Sequence, residues 1–405
     1  MSKSRTPSPK PNEENVGESI APENKGAFVS FIKSLASFTG DLSNLTCPSF
    51  LLSPISLLEY SSYWGDHPEL FVAISEPDDP EARMIACLKW FISSLSGSFA
   101  SRVSKQKGEY EKKPYNPVLG ERFFCTWDSP KIGKTNLVCE QVSHHPPISA
   151  FYLENSQSGV VCNGHNGQKS RFSATTIYVD QIGHGIVHLL NRQDETYLFT
   201  LPSLAVNGLW YGAPSPELQG STYIQSSSGY TASIEYSTRG WVSGELHHFK
   251  ATITNGNPDN VVTIEGQWTG ASSIYRHHKS PQPFFDISAI PTPQKIVAPV
   301  SKQHELESRK LWKKVTDALI AKDYSVASSE KSKIENKQRA ERKERKENDS
   351  TWEPAFFKWV DPDPVYEALD EQIEKKTKDK HADLGKASWI SIDFLEKYEN
   401  KYGKK

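Results

Sequence analysis

Between about Val118 and Asp286 the sequence breaks into short apolar and aromatic runs separated by turn clusters. This texture limits the possible fold more than any other feature of the chain. Period-two alternation shows in Tyr230-Thr-Ala-Ser-Ile-Glu-Tyr and in Phe249-Lys-Ala-Thr-Ile-Thr, the pattern of strands with one buried face. Asn-Gly pairs beginning at Asn163, Asn166 and Asn207 read as turns. Many strands at close spacing predict an antiparallel sheet that closes or nearly closes. A sheet this wide leaves a hollow when it curls round, because interior volume grows with strand number. The expected fold is mainly β with α additions: a large, nearly closed antiparallel β-barrel around a lipid-sized cavity, over residues 118–290.

The flanks read differently. Residues 1–24 are Pro, Ser, Glu and Lys with almost nothing apolar, a disordered tail by composition. In 25–47, Phe28, Phe31, Ile32, Leu35 and Phe38 recur at helical spacing, with Ser30, Lys33, Ser34 and Ser37 opposite and Gly40 as a stop. Such a helix either packs permanently on the core or acts as a mobile cover that touches lipid through its aromatic face. Residues 48–117 form a helical and linker region, with a core stripe of Met84, Ile85, Leu88, Phe91, Ile92 and Leu95. Residues 291–405 are expected to be a C-terminal helical region. It holds an amphipathic stretch with Trp312, Val315 and Leu319, a charged helix (SSEKSKIENKQRAERKERKEN), and an aromatic run, WEPAFFKWV.

The net charge is −2, so no global field recruits nucleic acid or an anionic membrane. Attraction to phosphate has to come from a local cluster. The five cysteines are odd in number and lack CxxC spacing, which favours a reducing compartment over disulfides or a zinc site. No stretch approaches 18 apolar residues, and MSKSRTPSPKPNEEN is no signal peptide. The expectation is a soluble cytosolic protein without cofactor or metal.

Three groups of residues bear on chemistry. In EQVSHHPPISAFY, Glu140–Tyr152, two histidines precede two prolines. Proline stiffens this point and favours an extended His145. Two imidazoles at a rigid strand start suit an anion such as phosphate, a metal or proton transfer; the plain alternative is a satisfied pair at a strand end. Adjacent residues on an extended chain point to opposite sides, which argues against chelation of one ion. In EKKPYNPVLGE, Pro-flanked turns hold Lys113 and Asn116 stiffly; the plain alternative is a surface lysine. Lys331, Glu335 and Arg339 stand at i, i+4 and i+8 on the charged helix, a spacing that is ordinarily exposed helix support.

EQVSHHPP resembles the signature of the oxysterol-binding-protein-related family of lipid-exchange proteins, and KKPYNPVLGE resembles that family's KPxNPxLGE element. The resemblance runs from about Phe28 to about Trp352, and the layout is similar to short fungal members consisting of the lipid-binding domain alone. It implies a lid over the tunnel, carried here by Phe28, Phe31, Ile32, Leu35, Phe38, Leu42 and Leu45. It implies a phosphoinositide headgroup site of Lys113, Asn116, His144, His145, Lys331, Glu335 and Arg339, completed by backbone N–H groups around Leu42–Leu45. It places Trp64, Ser98, Phe99, Asn166 and Gln181 along the tunnel. The chain departs from sterol-binding relatives where their Gln-Tyr pair aligns with Ser98 and Phe99, which loses a long amide. The implied ligands are sterol and phosphatidylinositol 4-phosphate, with phosphatidylserine as an alternative second lipid. The implied protein is a monomeric non-enzymatic carrier making transient contact with Golgi and endoplasmic reticulum membranes. A lipid sensor uses the same residues, and a hydrolase would use Glu140, His144 or His145 for acid–base work.

Overall fold

The computed structural model describes residues 20–403 apart from 39, 41, 43–44, 100–111, 174, 213, 238–245, 258, 260, 277–279 and 378–380. Residues 1–19 of the expected tail, and the backbone groups of 43–44, lie outside the described residues. At the tail's end Ile20 is buried against Gly212, and Pro22–Asn24 forms a 3-10 turn. The order expected from composition changes there because one apolar side chain finds a site on the body.

Among the described residues, thirteen strands make one sheet. It runs as a meander from Arg122–Ser129 through Gly133–His144, Pro147–Asn155, Val160–Ser173 and Thr176–Leu189 to Glu195–Thr200, each antiparallel to the last. Ser203–Asn207 then folds back between Thr176–Leu189 and Ser215–Ser226. From Ser215–Ser226 the meander continues through Thr231–Ser237, His248–Thr254, Val262–Gln267 and Ala271–Arg276 to Gln282–Asp286.

One hydrophobic cluster shows how far the sheet wraps. It joins Phe123, Cys125 and Trp127 of the first strand to Val262 and Ile264 near the other edge. Between them lie Met84, Leu88, Trp90, Phe91 and Leu95 of the helix Pro80–Phe99. Both ends of the sheet therefore contribute to one core with this helix. The first strand's free edge is covered by the returning chain: Thr126 and Ile296 exchange backbone hydrogen bonds of 3.0 and 2.8 Å, and Arg122 N donates to Leu306 O at 2.9 Å. Covering an edge in this way removes a template for intermolecular pairing.

Three local expectations change. Asn163-Gly164 and Asn166-Gly167 lie inside the strand Val160–Ser173 and are not turns. A Cβ on Gly164 would stand 2.5 Å from His184 O, and one on Gly167 would stand 2.4 Å from Ile148, so these glycines permit close approach inside a sheet. Only Asn207-Gly208 is a bend, with Gly208 at φ 73. The C-terminal region is not wholly helical. Phe357–Val360 and Ser388–Ser391 form a two-stranded antiparallel sheet that packs with the helices Pro364–Glu374 and Ile392–Tyr402. This unit rests on the sheet's outer face, on Val142, Ile148, Tyr152, Ile186 and Leu198. Finally, Leu52–Ser56, which sequence alone reads as linker, is a strand paired in parallel with Lys113–Tyr115.

Buried Glu121 ties this corner together. It accepts from Ser56 Oγ (2.5 Å), Ser308 Oγ (2.7 Å), Trp312 Nε1 (2.9 Å) and Val118 N (3.0 Å). Burial raises its carboxyl above the usual range, and these four donors oppose the rise. Glu121→Ala leaves several buried donors without an acceptor and is expected to cost about 3 kcal/mol. Urea unfolding measures it; a loss below about 1 kcal/mol would show that the network relaxes freely.

Candidate functional site

A cavity of about 250 Å³ lies between the N-terminal helix and the strands. The helix is Lys25–Ser37. Phe28 and Ile32 are buried against Phe50, Leu51 and Leu209, whereas Phe31 and Leu35, with Leu42 and Leu45, face the cavity. Phe38 packs on the same cluster without lining the cavity. Opposite stand Ile177, Val179, Leu204 and Val206. A smaller cavity of about 40 Å³ continues below. Leu57, Asn166 and Gln168 line both and form the partition between them. The lower cavity brings together Trp64, Ser98, Phe99, Asn166 and Gln181, residues far apart in sequence. Trp64 is held by stacking on Phe151 at 5.4 Å, and Gln181 donates to Pro202 O at 2.8 Å.

The rim is polar. Parallel pairing with Leu52–Ser56 fixes Lys113 on a strand, and its Nζ donates to Asn116 Oδ1 at 2.7 Å. Lys113 and Asn116 are both exposed, and both line the cavity. Burial holds the Lys113 ammonium below its usual range; Lys331 deepens the shift, and Cys47 and Glu335 oppose it. Burial pushes the Cys47 thiol up to about 11, which makes it a poor nucleophile.

His144 and His145 correct one expectation. The strand ends at His144 and the next begins at Pro147, so His145 and Pro146 form the hairpin turn between them. The turn folds the rings together, with centroids 4.7 Å apart, where an extended chain would have separated them. Arg342 Nη1 donates to His145 Nε2 at 2.6 Å. Among the described residues, His144 Nδ1 is buried without a hydrogen-bond partner. Both imidazoles sit below their usual pKa, first through burial and then through charged neighbours: Arg342 for each, and for His144 also His145 and Arg345. A cluster with these guanidiniums repels a cation and attracts an anion.

Beside the Lys113 loop runs the helix Tyr324–Glu347, capped by Asp323 accepting from Val326 N at 3.0 Å. Lys331 pairs with Glu335. The charge of Glu335 acts on both Lys113 and His144. Gln338 Oε1 accepts from Leu119 N at 3.2 Å and locks the helix to the Lys113 loop. Arg339 turns away: it is largely exposed, bonds Asn336 at 2.7 Å and reaches Glu335 only at 3.7 Å. Arg342 and Arg345, which sequence reasoning missed, face the histidines instead. At about 100° per residue, positions +11 and +14 from Lys331 lie within about 40° of it, and +8 lies about 80° away. That angle was the available signal.

Glu140 engages both oxygens with the C-terminal segment, accepting from Ala355 N at 2.9 Å and Phe356 N at 2.8 Å. It fastens the aromatic run and is not free to act as the histidines' acid–base partner.

A family model described as oxysterol-binding protein matches residues 28–319 and 316–382. An oxysterol-binding protein homolog of Schizosaccharomyces pombe is 46% identical over 352 residues, covering 87% of this chain and 88% of its own. The protein kes1 of the same yeast is 42% identical over 361 residues, covering 88% of this chain and 92% of its own. Among solved structures, the Osh1 ORD domain in complex with ergosterol superposes with TM-score 0.70 at 21% identity, over 92% of this chain and 88% of that one. The Osh3 ORD of Saccharomyces cerevisiae in complex with PI(4)P gives 0.65 at 20% identity, over 97% of each chain. Those two likenesses establish the fold.

Proposed function

The chain belongs to the oxysterol-binding protein family, and on that premise we propose that it carries one lipid at a time, exchanging sterol for phosphatidylinositol 4-phosphate between membranes. One observation carries the reading: an apolar cavity, roofed by a helix and lined by Lys113 and Asn116, with Lys331 close enough to act on Lys113 and the His144–His145 turn directly preceding Pro147 of the lining. Charge-assisted hydrogen bonds from such groups are the chemistry of phosphate recognition. The seven headgroup residues, Arg339 included, remain candidates, and Arg342 and Arg345 join them.

A sterol-sized ligand hides several hundred Å² of apolar surface, so bringing it into water costs roughly 10 kcal/mol. An enclosed carrier removes that barrier without covalent chemistry. The lower cavity sets Tyr60, Ser61, Tyr63, Ser98 and Gln181 among apolar side chains such as Trp64, Leu95 and Phe99, and these polar groups suit a single hydroxyl in place of the long amide missing at Ser98. The two lipids share one space, so each excludes the other. The same resemblance favours visits to Golgi and endoplasmic reticulum membranes; among the described residues no helix is long and apolar enough to cross one.

The test is a two-liposome assay with sterol in one population and phosphatidylinositol 4-phosphate in the other. Sterol transfer should accelerate when the second lipid is present. Indifference to it, or a response to phosphatidylserine alone, would refute the assignment.

Two further outcomes follow from the rim. In the free protein burial and then cationic neighbours hold both imidazoles below their usual pKa, which favours their neutral forms. A phosphomonoester beside them raises those values, so binding takes up protons and tightens as pH falls through the raised, bound-state pKa. The gain ends near pH 6, where the phosphate itself begins to protonate. Phosphoinositide extraction should therefore rise from pH 8 to 6 while sterol extraction stays flat; parallel profiles would contradict a histidine contribution. On the helix, Arg342→Ala should lower phosphoinositide extraction about tenfold or more, as expected for a lost charge-assisted hydrogen bond, and Arg339→Ala only about twofold. Equal losses would return Arg339 to the centre of the site.

A further inference from the structure

A second polar cluster lies away from the cavity. His165 and His184 stand directly opposite each other on neighbouring strands. Asn166 lines the cavity and Ile182 packs on the C-terminal unit, so period-two alternation turns His165 and His184 outward, toward that unit. There they meet Asp383. Its Oδ1 lies 3.2 Å from His165 Nε2, and its Oδ2 lies 2.7 Å from His184 Nδ1. The donor atoms of all three residues fall within 4.8 Å of one another.

We propose that His165, His184 and Asp383 bind one divalent transition-metal ion of the zinc type, which staples the C-terminal unit to the outer face of the sheet. Four features support this. A tetrahedral zinc bonded at about 2.0–2.1 Å sets its donor atoms about 3.3 Å apart, a spacing these side chains approach without rebuilding. His184 keeps its other nitrogen, Nε2, 2.8 Å from Ser388 Oγ, the outer hydrogen bond that fixes the ring of a ligating histidine. Asp383 is anchored on both sides: Leu384 N donates to its Oδ1 at 2.7 Å, and Gly183 N donates to Ala382 O at 2.9 Å. Lastly, the carboxylate is only 6% exposed, and its partners among the described residues include the two imidazoles but no Lys or Arg ion pair. A buried carboxylate needs a cation or full hydrogen bonding, and a dication supplies the charge. The three ligands are separated by up to 218 positions, so no local spacing in the sequence betrays them.

The test uses the tag-free full chain, stripped with chelator and titrated with cobalt(II) chloride. The expected result is the visible absorption of tetrahedral cobalt at one equivalent, bleached by zinc chloride. His184→Gln and Asp383→Asn should lose the band, and His248→Gln on the far side of the sheet should keep it. In the unmodified chain, zinc should also raise the melting temperature by several degrees. If the folded unmodified chain develops no band and takes up no zinc after chelation, the cluster is a hydrogen-bonded latch and the proposal falls. A band that persists in both ligand variants places the ion elsewhere and overturns it equally.

Discussion

Replacing His144 and His145 together by alanine is expected to reduce phosphatidylinositol 4-phosphate extraction by about 100-fold or more, while sterol uptake stays within about twofold. The size follows from two hydrogen bonds to a charged phosphate at about 1.5–3 kcal/mol each, where every 1.4 kcal/mol is tenfold. The selectivity follows from place. The two rings sit on a hairpin turn beside Arg342, and the lower cavity is lined by other residues. His145 is exposed and His144 half-buried, so the variant loses little packing and should melt near the parent. Equal loss of both lipids in a folded variant would move the headgroup away from this turn.

Removing residues 1–45 is the second large change. It strips Phe31, Leu35, Leu42 and Leu45 from the cavity wall and opens the roof to water. Each apolar side chain packed on a ligand is worth about 1.5–3 kcal/mol when fully buried, so both lipids should dissociate about 100-fold faster or more. The main core around the helix Pro80–Phe99 does not include the deleted residues. The truncated chain should still fold, with Phe50, Leu51 and Leu209 newly uncovered. Unchanged dissociation of either lipid would mean the helix is structural and no lid.

Much of this was legible in the sequence, for identifiable reasons. Strand texture from Val118 to Asp286 reports local alternation, and local alternation forces a sheet. The spacing of Phe31 and Leu35 likewise displays a helix face. What escaped depends on partners far along the chain. Asn163-Gly164 reads as a turn locally, and only the neighbour His184 reveals why glycine is needed in a strand. Lys113 gains its position from Leu52–Ser56, a pairing across some sixty residues that no propensity signals. The histidine rings converge because the turn falls between them and the next strand, and Arg342 joins the candidates because a helix comes closer to its starting face at +11 than at +8. The docking of the C-terminal unit through Glu140 and Asp383 lies wholly beyond local pattern.

Native mass spectrometry of the purified chain, after incubation with liposomes containing sterol, phosphatidylinositol 4-phosphate and phosphatidylserine, tests the central claim most directly. A single shared cavity predicts one bound lipid per chain, either sterol or phosphatidylinositol 4-phosphate, with each displacing the other as its share in the liposomes rises. A chain that holds both at once, or that emerges with no lipid, would contradict it.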